Sequence, residues 1–315
     1  MALSVCMIVK NEGKALASCL ASVKEIANEI VIVDTGSTDN TKEIAKKFGA
    51  KIFDYQWTDD FSSARNFSLS KATKEWILVI DADELLEAQD SQGIMRLTLM
   101  SGYDAFSLVQ RTYVNESNLF STKMKIPRYG FSGYFDVEVV RLFKNNNGYK
   151  YEGQVHELID KSLKDASIAR SDVVLHHIEH LKGEEAVKQK QIRYLEILKK
   201  ELQKNPNEEK LLCDAALIAF HFKNDFDDAK KYLETVLKAH PKSTRAMMLF
   251  GQMFANRGNA DEAIKWYEKV EPTKAVYQNL AALYSAKGDN EKAKSYIEKS
   301  KKLQNETVPS NAPIP

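Results

Sequence analysis

The stretch Trp76–Glu84, WILVIDADE, joins a continuous apolar run to a cluster of carboxylates, and it decides the fold class of the first half of the chain. Apolar residues without alternation predict a strand that is buried on both faces, as in a parallel sheet covered by helices. In open sheets of this kind, ligands bind beyond the carboxyl ends of the strands. The acidic end therefore predicts a ligand site at Asp81 and Asp83.

Two earlier apolar runs also end at acidic residues. Leu3–Val9 is followed by Lys10-Asn11-Glu12, and Ile30–Val33 is followed by Asp34. Because strand–helix–strand connections of this type are right-handed, the order predicts a Rossmann-like α/β half domain. The spacing of apolar residues predicts the other elements of this half domain: helices at about residues 14–25, 41–48 and 61–71 and a strand at 51–53.

From residue 104 to about residue 180 the pattern changes to short aromatic or β-branched segments with Gly and Asn between them. Tyr134–Phe143 and Tyr149–His156 are examples. Such segments are typical of strands and loops rather than of further strand–helix units. The two halves together predict a mixed central sheet.

Glu12, Asp34 and the pair Asp81 and Asp83 all lie where predicted strands end. These carboxylates would repel a diphosphate ligand unless a divalent cation lay between, and hard cations prefer carboxylate oxygens. Such a cation would neutralise a diphosphate leaving group as the bond to it breaks. An isolated Asp-x-Asp also occurs in solvated turns and helix caps, but this pair directly follows a buried strand. Asp34 has a second interpretation, as a cap of the turn at Thr35–Thr38.

After Lys182 the chain becomes helical and repetitive. Ala229, Ala263 and Ala293 recur at intervals of 34 and 30 residues, and each follows a turn rich in Asn, Gly or Asp. Nine residues before them stand three aromatic residues, Phe220, Phe254 and Tyr284. Small residues where two helices touch, with an aromatic wedged between them, are typical of tetratricopeptide repeats.

These patterns predict a division of the chain into two folded domains. The polar and proline-rich composition of the last residues predicts a disordered end. The predicted parts are an α/β domain at 1–182, a connecting helix at 183–204, the repeats at 205–303 and a disordered tail at 304–315.

The composition excludes several classes of function. A net charge of +1 argues against general nucleic-acid binding. No run approaches 18 consecutive apolar residues, so we expect no membrane span. Cys6, Cys19 and Cys213 lack the spacing of a metal or redox motif and indicate buried thiols in a reducing cytoplasm.

Six blocks of the sequence resemble the successive motifs of the family 2 glycosyltransferases, which have the GT-A fold. The blocks are Ser4–Glu12 (SVCMIVKNE), Ile30–Asn40 (IVIVDTGSTDN), Asp59–Asn66 (DDFSSARN), Trp76–Glu84 (WILVIDADE), Arg141–Glu157 (RLFKNNNGYKYEGQVHE) and Val174–His177 (VLHH). The last two are similar to a branch that carries tetratricopeptide repeats behind the catalytic domain and includes enzymes that glycosylate flagellin and bacteriocin peptides. The resemblance covers almost the whole chain. It implies a GT-A domain with a mixed central sheet, followed by an all-α repeat array.

The resemblance also implies roles for residues of a donor site. Asn11, Glu12 and Asp34 would hold the uridine of a UDP-sugar. Ser37 and Asp39 would complete the turn that follows Asp34.

The same resemblance implies a metal site for Mn²⁺ or Mg²⁺. Asp81 would contact the ribose or act through a water, Asp83 would bind the metal directly, and His176 would be a second ligand. His176 and His177 would point to opposite sides of a strand, so at most one of them is a ligand, and the choice between them stays open.

An inverting transfer needs a base that removes the acceptor proton. Glu157 is the candidate for this base, and His156 would orient it or bind the donor. His156 also has an interpretation as a structural histidine. Many family members carry an acidic pair at these two positions, whereas this sequence has His-Glu. Arg65 would approach the uridine base or the diphosphate of the donor. It has an alternative as a surface partner of Asp59 or Asp60.

The favoured function is a metal-dependent, inverting transfer of N-acetylglucosamine or glucose from a UDP-sugar to a hydroxyl or thiol of a protein or peptide, such as flagellin or a secreted peptide. Stacked repeats give an extended concave surface that suits a polypeptide, although they can also form a homodimer. One alternative acceptor is a saccharide or lipid-linked glycan in envelope polysaccharide synthesis. Another alternative is a non-catalytic protein-binding module, against which Asp83, Glu157 and His176 argue.

Overall fold

The computed structural model describes residues 1–115, 122–155, 157–178 and 184–306, and these form two compact units divided between Val187 and Lys188. The first unit is α/β and the second is helical. The elements of the first unit are β1 (Leu3–Val9), α1 (Leu16–Val23), β2 (Glu29–Asp34), α2 (Thr41–Lys47), β3 (Lys51–Asp54), α3 (Phe61–Leu69), β4 (Trp76–Val79), β5 (Glu84–Leu85), α4 (Ala88–Leu99), β6 (Ala105–Val114), β7 (Thr122–Arg128), β8 (Phe131–Lys144), a short 3-10 helix (Asp160–Leu163) and β9 (Ile168–His177).

The strands of the described residues form one mixed sheet in the order β3-β2-β1-β4-β8-β6-β9-β5, with β7 paired to β8. Strands β3, β2, β1 and β4 run parallel, whereas β4 and β8 pair antiparallel. Strand β9 is parallel to β6 and antiparallel to β5. The predicted α/β domain with a mixed central sheet is therefore confirmed.

The apolar runs are strands because both of their faces are buried. Along β1 and β4, alternate side chains enter different hydrophobic layers: Met7 and Leu78 enter one, and Cys6 and Ile77 enter the other. All four side chains are at most 2% exposed. A strand covered on both faces cannot alternate apolar with polar residues, and this explains the continuous runs of the sequence.

The predicted strand over Tyr149–His156 is not formed in its described part, and His156 itself lies outside the described residues. Glu152 instead makes an isolated antiparallel bridge with Leu158. Gly153 has a φ of +108°, a left-handed conformation that bends the chain into a tight loop. Glu157 therefore lies in a loop and does not follow a strand.

The second unit is a series of antiparallel helix pairs, as the repeats predicted. The helix α5 (Glu184–Leu202) spans the division between the units; the next helices are α6 (Glu209–Lys223), α7 (Phe226–Ala239), α8 (Thr244–Asn256), α9 (Ala260–Tyr267), α10 (Lys274–Ala286) and α11 (Asn290–Glu306). The backbone of α11 includes residues 304–306, which the sequence assigned to a disordered tail, and the rest of that tail lies outside the described residues.

The repeat pattern works through close helix contacts. Ala229 and Ala263 are fully buried. A Cβ atom at Gly251 in α8 would lie 2.7 Å from the ring of Tyr267 in α9. A small residue at this position is therefore required for the two helices to pack.

Candidate active site

The carboxyl ends of three neighbouring parallel strands bring acidic side chains to one edge of the sheet. Burial raises the pKa of the Cys19 thiol well above its usual value, and the negative charges of Glu84, Asp83, Asp81 and Glu12 raise it further. The buried sulfur of Cys19 thus experiences the negative electrostatic potential of carboxylates that follow both β1 and β4. Of the acids that the sequence predicted at strand ends, Glu12 follows β1 and Asp81 and Asp83 follow its parallel neighbour β4.

The two carboxylate oxygens of Asp34, at the end of β2, lie in different hydrogen-bonding environments. Its Oδ1 accepts hydrogen bonds from the backbone N–H groups of Gly36, at 2.9 Å, and Ser37, at 2.8 Å. The turn-capping interpretation therefore holds for this oxygen. Oδ2 is buried and has no hydrogen-bond partner within the part of the chain that the structure describes. A buried acceptor without a donor is costly, so this oxygen is available to a ligand.

The loops after β1 and β2 are held together by the other residues assigned to the donor site. The Asn11 backbone N–H donates to Ser37 Oγ at 2.9 Å, and Asn11 Oδ1 accepts from the Thr38 N–H at 2.7 Å. Asp39 accepts from the Gly13 N–H at 3.0 Å. Asn11, Ser37 and Asp39 thus fix the shape of the loops that frame the site.

Arg65 lies in α3 and is buried, with its guanidinium between two carboxylates. Its Nη2 donates to Asp81 Oδ1 at 2.8 Å, and its Nε donates to Glu157. Asp60 instead caps α3 by accepting from the Ser63 N–H. The surface-pair alternative for Arg65 therefore does not hold, and the predicted residues Arg65, Asp81 and Glu157 are brought together.

A second arginine, Arg141 on β8, completes this network. Its Nη2 lies 3.0 Å from Asp81 Oδ2 and 3.8 Å from Glu84 Oε1. Burial alone would raise the pKa of Asp81, but the Arg65 and Arg141 guanidinium groups hold it well below its usual range. Burial raises the pKa of Glu84. Asp81 is therefore an ionised carboxylate whose two oxygens are oriented from opposite sides.

The structure pairs Asp83 with His177 and not with His176. Nε2 of His177 lies 3.8 Å from Asp83 Oδ1, while Thr112 Oγ1 lies 3.1 Å from Nδ1 of the same ring. His176 points to the other side of β9, where its Nε2 lies 3.4 Å from Asp90 Oδ2. Successive side chains of a strand alternate in direction, so the two histidines cannot share one site.

Asp83 and His177 fit a divalent cation such as Mn²⁺. Carboxylate oxygen and imidazole nitrogen are both ligands of such ions, and oxygen is the preferred ligand of Mg²⁺. The contact of Thr112 with Nδ1 orients the ring so that Nε2 faces Asp83, and metal-ligating histidines are commonly oriented by such a contact of their other nitrogen. The cation would supply positive charge beside a diphosphate.

Sequence reasoning missed Arg141 and preferred His176 over His177. Arg141 opens one of the quoted sequence blocks, but the strand Phe131–Lys144 also carries Asp136 and Glu138, so its charge alone did not mark it as a site residue. The choice of histidine depended on the register of β9 against β5, where Glu84 pairs with His177. That register is set by tertiary pairing and is not visible in the local sequence.

Comparison with known proteins found matches for both units of the chain. Residues 4–160 match the model of the family Glycosyl transferase family 2, and residues 218–275 and 275–307 match tetratricopeptide repeat models. A tetratricopeptide repeat-containing protein of Synechococcus elongatus is 32% identical over 308 residues, which cover 90% of this chain and 71% of that protein. The chain belongs to the family 2 glycosyltransferases. As a glycosyltransferase, it joins a sugar-transferring domain to a repeat array in one polypeptide.

A glycosyltransferase and a solved structure are also similar to the chain. The SPβ prophage-derived glycosyltransferase SunS of Bacillus subtilis is 34% identical over 153 residues, which cover 48% of this chain and 33% of SunS. The crystal structure of S. aureus TarS covers 95% of this chain and 55% of that one, with 13% identity and a TM-score of 0.43. At that identity and TM-score, the similarity to TarS gives no evidence about the activity of this chain. Among the described helices, none is long and apolar enough to cross a membrane.

Proposed function

We propose that this glycosyltransferase moves a sugar, N-acetylglucosamine or glucose, from a UDP-sugar to a hydroxyl or thiol of a protein or peptide, with inversion and with a divalent cation. The observation that carries the proposal is the Asp83–His177 pair, 3.8 Å apart, in the segment that follows the parallel strand β4. The carboxyl edge of a parallel sheet is where nucleotides bind in folds of this kind.

The donor nucleotide would bind against the loops after β1 and β2. Oδ2 of Asp34 is a buried acceptor that can receive an N–H of uracil or a ribose hydroxyl. The loops themselves are joined by hydrogen bonds of Asn11, Ser37 and Asp39, so the pocket is shaped before the donor arrives. A preformed pocket loses less entropy on binding. Glu12 lies beside these loops and completes the acidic edge.

Asp83 and His177 would hold Mn²⁺ or Mg²⁺ against the diphosphate. When bound, the cation supplies the charge that stabilises the UDP leaving group. Asp81, held by Arg65 and Arg141, would contact the ribose or the donor sugar as a fixed, ionised acceptor.

Glu157 would remove the proton of the acceptor nucleophile. Arg65 binds Glu157 and Asp81 at once, so it would act as a positioning residue that sets the base at a fixed place relative to the donor. The side chain of Glu157 is only 9% exposed, and the acceptor would reach it on the side that Arg65 leaves open. Proton transfer of this kind contributes a factor of roughly 10² to 10⁴ to the rate.

The repeat array would hold the polypeptide acceptor. Within the second unit, an open cavity of about 520 Å³ lies between α7, α8 and α9. Its walls include the rings of Phe250 and Trp266, whose centroids are 4.4 Å apart, and the lysines Lys230 and Lys238. The same walls carry Glu234 and Glu262, so the charges of the lining balance, and the apolar surface suits a peptide segment with apolar side chains. The three buried free thiols Cys6, Cys19 and Cys213 support the reducing cytoplasm as the proposed compartment of the reaction.

Transfer of a radiolabelled sugar from UDP-N-acetylglucosamine or UDP-glucose tests the proposal. The purified enzyme is incubated with Mn²⁺, the donor and cytosolic extract of the source cells, with Asp83→Asn enzyme as the inactive control. Protease-sensitive label of high mass supports a protein acceptor. Label that partitions into organic solvent and resists protease would show a lipid-linked glycan instead.

Two matched variants test the repeat array. Trp266→Ala removes an aromatic wall of the cavity, whereas Tyr277→Ala removes a half-buried ring of the same unit outside it. Trp266→Ala should reduce transfer to protein at least fivefold and leave donor hydrolysis unchanged, and Tyr277→Ala should affect neither. If both variants transfer normally and only oligomer size changes, the repeats form a dimer and the saccharide acceptor becomes the better hypothesis.

A further inference from the structure

A second group of metal-ligating side chains lies on the opposite side of β9 from His177. It consists of Glu87, which directly precedes α4, Asp90 in the first turn of α4, and His176 on β9. One potential ligand atom from each lies within 4.8 Å of the other two. The transfer reaction uses none of these side chains.

Two of the three groups present buried atoms that lack hydrogen-bond partners within the described residues. These atoms are Nε2 of His176 and Oδ2 of Asp90, on residues that are 2% and 5% exposed. They face each other at 3.4 Å. Buried polar atoms in native proteins are nearly always satisfied, and these two are satisfied either when the ring donates its Nε2–H to Asp90 across this distance or when a cation binds between them.

The remaining atoms of both side chains are fixed in the way that metal ligands are. Nδ1 of His176 lies 2.7 Å from the hydroxyl of Tyr113, which sets the orientation of the ring. Oδ1 of Asp90 accepts the Val174 N–H at 2.9 Å. Hydrogen bonds to the atoms that do not touch a metal orient the ligating side chains and select the histidine tautomer.

Glu87 already has a positively charged neighbour. Its carboxylate is paired with Arg128 and accepts the hydroxyl of Tyr129 at 2.6 Å. The Arg128 side chain is 47% exposed, so it can leave Glu87 for water at small cost. Arg128 therefore competes with any cation for Glu87.

We propose that Glu87, Asp90 and His176 form a second metal site, for a transition-metal ion of the Zn²⁺ type. One imidazole nitrogen and two carboxylate oxygens are a donor set that Zn²⁺ takes, with a position left for water. The ion would tie the start of α4 to β9 and so hold the strand that carries His177. This site is separate from the Asp83–His177 pair and does not depend on the proposed transfer reaction.

Calorimetric titration of the full chain with Zn²⁺ tests the second site, with Co²⁺ absorption as a spectroscopic measure of coordination. The Asp83→Asn variant serves as the background, because it removes the first site. It should still bind one Zn²⁺, and Zn²⁺ should raise its melting temperature. Asp83→Asn/Asp90→Asn should lose this binding at least tenfold, since an amide lacks the ligating charge yet keeps an acceptor for Val174. The control Asp83→Asn/Asp165→Asn, altered at an exposed site, should bind like the background.

Two more variants distinguish the loss of a metal ligand from misfolding of the protein. His176→Gln should lose Zn²⁺ binding as Asp90→Asn does, with circular dichroism of both variants unchanged. Arg128→Gln should tighten binding by about two- to fivefold, because the competing ion pair is removed. A background variant that binds no Zn²⁺, or one whose binding survives both Asp90→Asn and His176→Gln, would overturn the second site. Neither result would bear on the proposed transfer reaction, which is tested separately by comparing sugar transfer by the wild type and by Asp83→Asn.

Discussion

Nε2 of His177 faces Oδ1 of Asp83 across 3.8 Å, at the edge of the sheet where β5 pairs with the end of β9. The neighbouring His176 lies on the other side of the same strand, against Asp90. The alternation of a β-strand thus gives two adjacent histidines different surroundings. His177, and not His176, is therefore the histidine that faces Asp83.

The role of His177 as a metal ligand predicts a loss of metal-dependent turnover. His177→Ala should lower transfer by a hundredfold or more, because removing a group that stabilises developing charge costs about 3–4 kcal/mol. The Mn²⁺ concentration for half activity should also rise. Initial rates across a Mn²⁺ series measure both effects, with Asp165→Asn as the control. Normal turnover and normal Mn²⁺ dependence in His177→Ala would show that the histidine is not a ligand.

The role of Glu157 as the base predicts a separation of turnover from donor binding. Glu157→Gln keeps the size of the side chain and can still meet Arg65, but it cannot accept a proton. Its kcat should fall by roughly a hundredfold or more, while UDP binding measured by calorimetry changes little. A collapse of donor affinity with a modest change in kcat would make Glu157 a donor ligand.

Glu29 is expected to stabilise the α/β unit in a pH-dependent way. It is buried at the start of β2 and binds Ser4, Lys51 and Thr73, and so joins three strands. Burial alone would raise its pKa, but Lys51 and the hydrogen bonds of Ser4 and Thr73 lower it to about 2. Because the folded-state pKa is depressed, the stabilisation is complete above the ordinary glutamate pKa of about 4.3 and is lost as the pH falls towards 2.

Glu29→Gln should therefore lower the free energy of unfolding by on the order of 3 kcal/mol at pH 7, and by less than half of that at pH 3. Urea unfolding at the two pH values gives the difference. The exposed Glu138→Gln is the matched control and should change stability little at either pH. An equal loss at pH 7 and pH 3 would mean that the ionised form of Glu29 contributes nothing.

The helix contact at Gly251 predicts a local loss of stability in the repeat unit. Gly251→Ala places a methyl group against the buried ring of Tyr267 and should cost about 1–3 kcal/mol. Gln252→Ala, at the next position of α8, should be close to neutral. Tyr267→Phe should also be tolerated, because the hydroxyl has no hydrogen-bond partner within the described part of the chain. Thermal unfolding of the variants measures this, and an undisturbed Gly251→Ala would contradict the close packing.

The sequence predicted the parallel half of the sheet well because each buried strand is a continuous apolar run that ends at a carboxylate. The apolar run that opens the block Trp76–Glu84 was expected as a strand, and β4 covers Trp76–Val79. The convergence of Asp34 and Asp81 then follows from parallel pairing alone. The helix pairs were equally visible, since Ala229 and Ala263 mark contacts that tolerate only small side chains.

The antiparallel half could not be predicted in the same way. The loop around Glu157 has aromatic and β-branched residues that resemble a strand, but the left-handed Gly153 turns it back. The ion pair between Arg65 and Glu157 joins residues that are 92 positions apart, and no local pattern encodes such a contact. The side of β9 that each histidine occupies depends on its register with β6 and β5.

The release of UDP from UDP-N-acetylglucosamine or UDP-glucose, with and without Mn²⁺, tests the central claim most directly. The purified enzyme should release UDP with Mn²⁺ and stop when EDTA removes the ion, and Asp83→Asn should be inactive under both conditions while remaining folded. Release by the wild type that continues unchanged in EDTA, or that survives in Asp83→Asn, would contradict a metal-dependent transfer at the Asp83–His177 pair.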